Sequence, residues 1–158
     1  MRPRSAARLA WSLFAVAAVM SVTSFVMVAW NGGASATGAF GPPGLIGVFG
    51  LVFGTVGGLV ASRRPENPIG WIMLGIGVVS GFQEGANQYA VRGLVVDPGS
   101  LPLAAWGAWL GEWIWVPITA MIVIALFLLF PTGSLPSPRW RWVAVLGAVS
   151  VAVASVGA

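Results

Sequence analysis

The chain has 158 residues, 58% of them hydrophobic and only 8% charged, too few charges to cover a soluble globular surface, and this predicts a membrane protein. The formal net charge is +4, yet the basic residues are scattered singly or in pairs between apolar runs and form no stripe, so no nucleic-acid partner is expected. All eight basic residues are arginine, and histidine and cysteine are absent, which excludes disulfides, thiol chemistry, zinc sites built on Cys or His, and histidine phosphorylation within these residues.

Crossing a hydrocarbon core of roughly 30 Å takes about 20 apolar residues. Five candidate segments follow in chain order, 9–30, 44–61, 69–91, 104–130 and 142–158, the fourth longer than a crossing needs and the fifth short. The expected fold is therefore all-α, a single polytopic transmembrane helical bundle over residues 1–158 of the plasma membrane, in contact with the lipid bilayer. The opening "MRPRSAAR", the apolar run and "ASA" at Ala34–Ala36 contain the parts of a secretory signal. The run of about 22 residues is longer than a signal's apolar core, and a retained first span is the preferred reading. The following "NGGASATGAFGPPG" is uncharged and small, and reads as a flexible linker.

Arg2, Arg4 and Arg8 precede the first span, Arg63 and Arg64 sit between the second and third, and Arg139 and Arg141 between the fourth and fifth. Only Arg92 falls on an opposite loop, a positive-inside pattern that places the N-terminus in the cytoplasm. The polar knot "SRRPENPIGW" then faces inward. Arg63 and Arg64 hold it at the headgroups, Pro65 stops one helix, Asn67 is suited to N-cap the next with Pro68 as its first residue, and Trp71 marks the interface. A second inner turn is expected around Pro131 and Arg139.

Glycine spacing predicts how the spans pack. Gly50, Gly54 and Gly58 form one small-residue ridge, and Gly77, Gly81 and Gly85 another. The short turn between them suggests an antiparallel pair with facing ridges; either ridge could instead serve a homodimer. Glu84 and Glu112 fall inside the third and fourth segments, where a carboxylate costs on the order of 2.5–3.5 kcal/mol at the bilayer centre. Glu84, Asn87 and Gln88, with Gln83 beside them, make a polar stripe on the third helix, flanked by Tyr89. Trp106, Trp109 and Trp113 make an aromatic stripe on the fourth, with Glu112 adjacent and Pro117 expected to kink it.

Two readings of these residues stay open. In one, Gln83, Glu84, Asn87, Gln88, Tyr89, Trp109, Glu112 and Trp113 line an outward-opening pocket for a small cationic or amphipathic ligand. In the other, the tryptophans are an interfacial belt and Glu84 is hydrogen-bonded to a neighbouring helix. A catalytic constellation is missing: there is no GxxxxGK loop and no HExxH, and neither enzymatic activity nor a cofactor is expected.

"RRPENPIGW" at Arg63–Trp71 and "LFPTGSLPSPRWRWV" at Leu129–Val143, with the W-x-W-x-P run at Trp113–Pro117 between them, resemble blocks in the membrane-embedded N-terminal region of actinobacterial sensor histidine kinases. The resemblance covers most of the chain from the second span onward. It implies a sensory module of a two-component system that continues through one more span to a cytoplasmic dimerisation and ATP-binding unit. These 158 residues stop in the fifth segment and contain no histidine, so they read as a truncated input region to which kinase activity does not transfer. The alternatives are a stand-alone membrane scaffold or complex subunit and, more weakly, a transporter or channel fragment. Below Gln83 the third helix is almost wholly apolar and offers no polar path.

Overall fold

The computed structural model describes residues 3–34 and 41–120 and, beyond them, 122, 129, 140, 142, 145–147 and 149. Among the described residues the fold is all-helical, with α1 (Pro3–Trp30), α2 (Leu45–Arg63), α3 (Pro68–Val91), α4 (Ala104–Trp113) and α5 (Trp115–Ala120). Two stretches are long and apolar enough to cross a membrane: Arg4–Trp30, 27 residues, and Leu45–Arg63, 19 residues, which rise about 40 Å and 28 Å at helical pitch. The inner turn expected at Pro131 and Arg139, and most of segments 121–130 and 142–158, lie outside the described residues.

The helix ends follow from local chemistry. Gly44, at φ 89°, turns the chain into α2 after the two prolines that precede it. The Asn67 side chain accepts the Ile69 N–H at 3.0 Å and caps α3, and Pro68 occupies the first turn, where its missing N–H costs nothing. The Trp71 indole N–H donates to the Pro65 carbonyl at 3.0 Å and closes the same turn. At the other end α3 widens into one π-helical turn, Arg92–Val96, closed by the Asp97 N–H on the Arg92 carbonyl at 2.9 Å.

A continuous helix over 104–130 is not what forms. The ladder breaks at Ile114, separating the ten residues of α4 from the six of α5. Pro117 has no N–H to give to the carbonyl four residues back, which accounts for the interruption.

Helices α1, α2 and α3 form a bundle with α2 antiparallel to the other two, and α4 descends along the last turns of α3. Close backbone approach dominates the packing. A Cβ on Gly77 would lie 2.5 Å from the Gly54 nitrogen, and one on Gly70 2.7 Å from the Ala61 nitrogen. A Cβ on Gly57 would collide with the Leu74 backbone, and one on Gly50 would come 3.1 Å from the Gly81 nitrogen. The α2–α3 seam therefore consists of Gly50, Gly54, Gly57 and Ala61 against Gly70, Leu74, Gly77 and Gly81. Two glycines of the regular fourfold spacing leave it. Gly58 turns toward Phe14 of α1 as well as the Leu74 side chain, and a Cβ on Gly85 would meet nothing within 4 Å. The register shifts by one residue at Gly57 because 3.6 residues per turn do not keep a strict spacing of four on one face.

The third side of the bundle is α1, whose buried face is Ala6, Ala10, Ala17, Ser21 and Ser24. Ser21 Oγ fills the space that a Cβ on Gly50 would enter, and lies 3.0 Å from where one on Gly81 would sit. Among the described residues the largest fully buried side chains are Leu74, Ile76 and Val91, followed by serines. Stabilisation thus comes from many dispersion contacts between backbones brought close by small residues, more than from burial of large side chains.

Candidate functional site

Polar side chains gather where the bundle ends near Trp30, Gly44 and Val91. Gln83, Glu84 and Gln88 of α3 and Asn31, just past α1, are each no more than 4% exposed. Glu84 Oε1 accepts two hydrogen bonds of 3.0 Å, one from the Gly44 N–H at the entry to α2 and one from Gln88 Nε2. Asn31 Nδ2 in turn donates to Gln88 twice, to Oε1 and to the backbone carbonyl, each at 3.0 Å. Gln88 is therefore the hub of a chain of contacts that ties the end of α1, the start of α2 and the upper turns of α3 together. Burial in a low-dielectric setting makes each of these bonds costly to leave unmade. Asn31 Oδ1 and Ser21 Oγ are buried without a hydrogen-bond partner among the described residues.

The polar stripe of α3 divides between two neighbours. Glu84 and Gln88, one helical turn apart, face α1 and α2. Gln83 and Asn87, also one turn apart, face α4: Gln83 Nε2 donates to the Gly111 carbonyl at 2.9 Å, and the Asn87 carboxamide packs against Gly111 itself. Tyr89 donates its hydroxyl to the Pro102 carbonyl at 2.8 Å and holds the connection that leads into α4. Above this layer Arg92 lies over the Trp30 ring, 4.7 Å from its centroid, and 3.7 Å from an Asp97 carboxylate oxygen. This is the ion pair seen among the described residues, and it does not involve Glu84.

Trp106 and Trp109 do not join the buried cluster. α4 turns Ala104, Gly107 and Gly111 toward α3, and Trp106, Trp109 and Trp113 each follow one of these by two positions, about 200° around the helix. They form a ladder on the far side, edge-on at 5.8 Å between Trp106 and Trp109 and stacked at 6.0 Å between Trp109 and Trp113. Trp106, Trp109 and Glu112 are exposed. Glu84 and Glu112 therefore have opposite surroundings, one buried within the bundle and one on its surface. Glu84 and its amide neighbours thus lie within the bundle and Trp106, Trp109 and Glu112 on a separate exposed face, so the structure does not bring the acidic and aromatic halves of the expected pocket together. The physical reason is the glycine spacing of α4, which lets that helix approach α3 only by its small face.

Composition places Asn31 and Gly44 in a flexible linker, and the structure instead makes both of them partners of the α3 cluster. Residues 35–40 of that connection lie outside the described residues. A backbone N–H carries no sequence signal. Asn31 had one, a lone amide directly after a span-ending tryptophan, where an unmatched polar group seeks an internal partner.

Among the described residues the arrangement offers donors, acceptors and a carboxylate, groups that suit recognition or helix fastening. No family model, curated protein or solved structure matches the chain.

Proposed function

We propose that this chain is a multi-pass plasma-membrane domain with a cytoplasmic N-terminus, and that it serves as the sensory input region of a two-component sensor histidine kinase without carrying the kinase's catalytic part. Two helices long and apolar enough to span support the membrane setting, as does the placement of arginines on alternate loops. The kinase assignment draws on the resemblance of Arg63–Trp71 and Leu129–Val143 to blocks of that family.

The observation that carries the sensory reading is the buried Glu84–Gln88–Asn31 network spanning three helix ends. The helices below it touch through glycines, so small sliding or rotation meets few interlocked side chains. A ligand or membrane change that rearranges the network shifts the bundle between two packings, the mechanism assigned here to signal input. A small cationic ligand suits Glu84, which has no basic partner among the described residues.

A second reading, a structural scaffold or complex subunit, is favoured by one feature: Gln83, Glu84 and Gln88 all have internal hydrogen-bond partners and so work equally well as a fixed fastening. Reading the gene past the codon for Ala158 separates the two. An open frame leading through a further span to a histidine-bearing coiled helix and an ATP-binding domain is the expected result. A stop codon directly after Ala158 would transfer the assignment to the scaffold.

A further inference from the structure

The connection between α3 and α4 carries apolar residues where a water-exposed loop would carry polar ones. Leu94, Val95 and Val96 of the π-helical turn are 47%, 54% and 39% exposed, and Leu103 is 71% exposed. Leu103 also takes φ 57°, a left-handed conformation unfavourable for leucine, in a connection held by the Tyr89–Pro102 bond and by Gly93 against Leu101 and Ala104. The ordered backbone thus keeps these side chains exposed. Between them the turn tip, residues 97–100, is polar or small and also exposed.

We infer that Leu94, Val95, Val96 and Leu103, with Trp30 and Trp106, form an apolar crown that docks into the headgroup–acyl boundary of the outer leaflet. Height supports this occupant. Val91, the last residue of α3, lies 20 residues beyond Trp71, about 30 Å along the helix, and the π-helical turn carries Val95 beyond that height. That position lies past a hydrocarbon core of about 30 Å and inside the 40–45 Å that includes headgroups. Continuity supports it too. Arg92 reaches over Trp30, so the crown joins the exposed apolar side of α1 that runs down through Val26 and Val22. Large aromatic and aliphatic side chains at this level are the composition that interfacial lipid contact favours.

This inference rests on α1–α3 being membrane spans, and the test separates the two claims. The chain has no cysteine, so a single introduced thiol reports one position. Spin labels on Val95→Cys, Leu103→Cys, Ser100→Cys and Val19→Cys are compared in the full chain reconstituted into phosphatidylcholine–phosphatidylglycerol vesicles. The labels at 95 and 103 should be relaxed more by oxygen than by a water-soluble nickel chelate, as at Val19 in mid-α1, while Ser100 shows the reverse. Nickel exceeding oxygen at 95 and 103, with Val19 still in lipid, overturns the crown and leaves the spans standing. Low access to both reagents at 95 and 103, with spin–spin broadening, overturns it in favour of a second copy of the chain. Nickel exceeding oxygen at Val19 overturns the spans and the crown with them.

Discussion

Glu84 is buried, yet Oε1 alone gathers two donors, the Gly44 N–H and Gln88 Nε2. Removing the carboxylate strands both. Glu84→Ala is expected to lower stability by about 1–3 kcal/mol, the cost of leaving buried donors unmatched. Glu84→Gln keeps an oxygen at the same reach and should stay within about 1 kcal/mol of the parent protein. Unfolding in detergent micelles, followed by circular dichroism as sodium dodecyl sulfate is titrated in, measures both. Equal losses for the two variants would show that charge rather than hydrogen bonding holds the network. At the opposite end Asn67 accepts the Ile69 N–H, and Asn67→Ala should cost about 1 kcal/mol in the same assay, the usual worth of an N-cap.

At the level of helices, the seam between α2 and α3 discriminates among glycines of identical sequence character. A methyl group on Gly57 or Gly77 would collide with the backbone of the facing helix, which no rotamer change relieves. Gly57→Ala and Gly77→Ala should each destabilise the bundle by about 1–3 kcal/mol, the range for overpacking. Gly85→Ala enters open space, and the gain in helix propensity should leave it neutral or more stable by up to about 1 kcal/mol. Thermal unfolding of the three variants, compared side by side, checks the seam. A Gly85→Ala variant as damaged as Gly77→Ala would contradict the observed register.

For the whole molecule, the absence of cysteine makes topology directly measurable. Glu66 lies in the turn between α2 and α3, and Ser100 in the connection between α3 and α4, both exposed. With the N-terminus cytoplasmic, a membrane-impermeant maleimide should label Ser100→Cys in intact cells and Glu66→Cys only after permeabilisation. The reverse pattern would invert the proposed orientation and turn the Glu84 network toward the cytoplasm.

The helical class, the sharp turn at Arg64–Asn67 and the existence of a small-residue interface were legible in the sequence, because apolar length, proline and glycine act locally or through simple periodicity. Partner identity was not legible in the same way. Spacing put Glu84, Asn87 and Gln88 on one helix face, but only packing divided that face between Gly44 and Asn31 on one side and Gly111 on the other. Sequence likewise offered two acids and an aromatic stripe to one outward-opening pocket, and the tertiary arrangement buried Glu84 while turning Glu112, Trp106 and Trp109 outward. What the sequence by itself determined was therefore the helical class, the helices within 9–30, 44–61 and 69–91, and which residues permit close contact. Which helix face meets which neighbour was decided by the tertiary structure, because rotation about a helix axis is set by the best mutual fit of several helices at once.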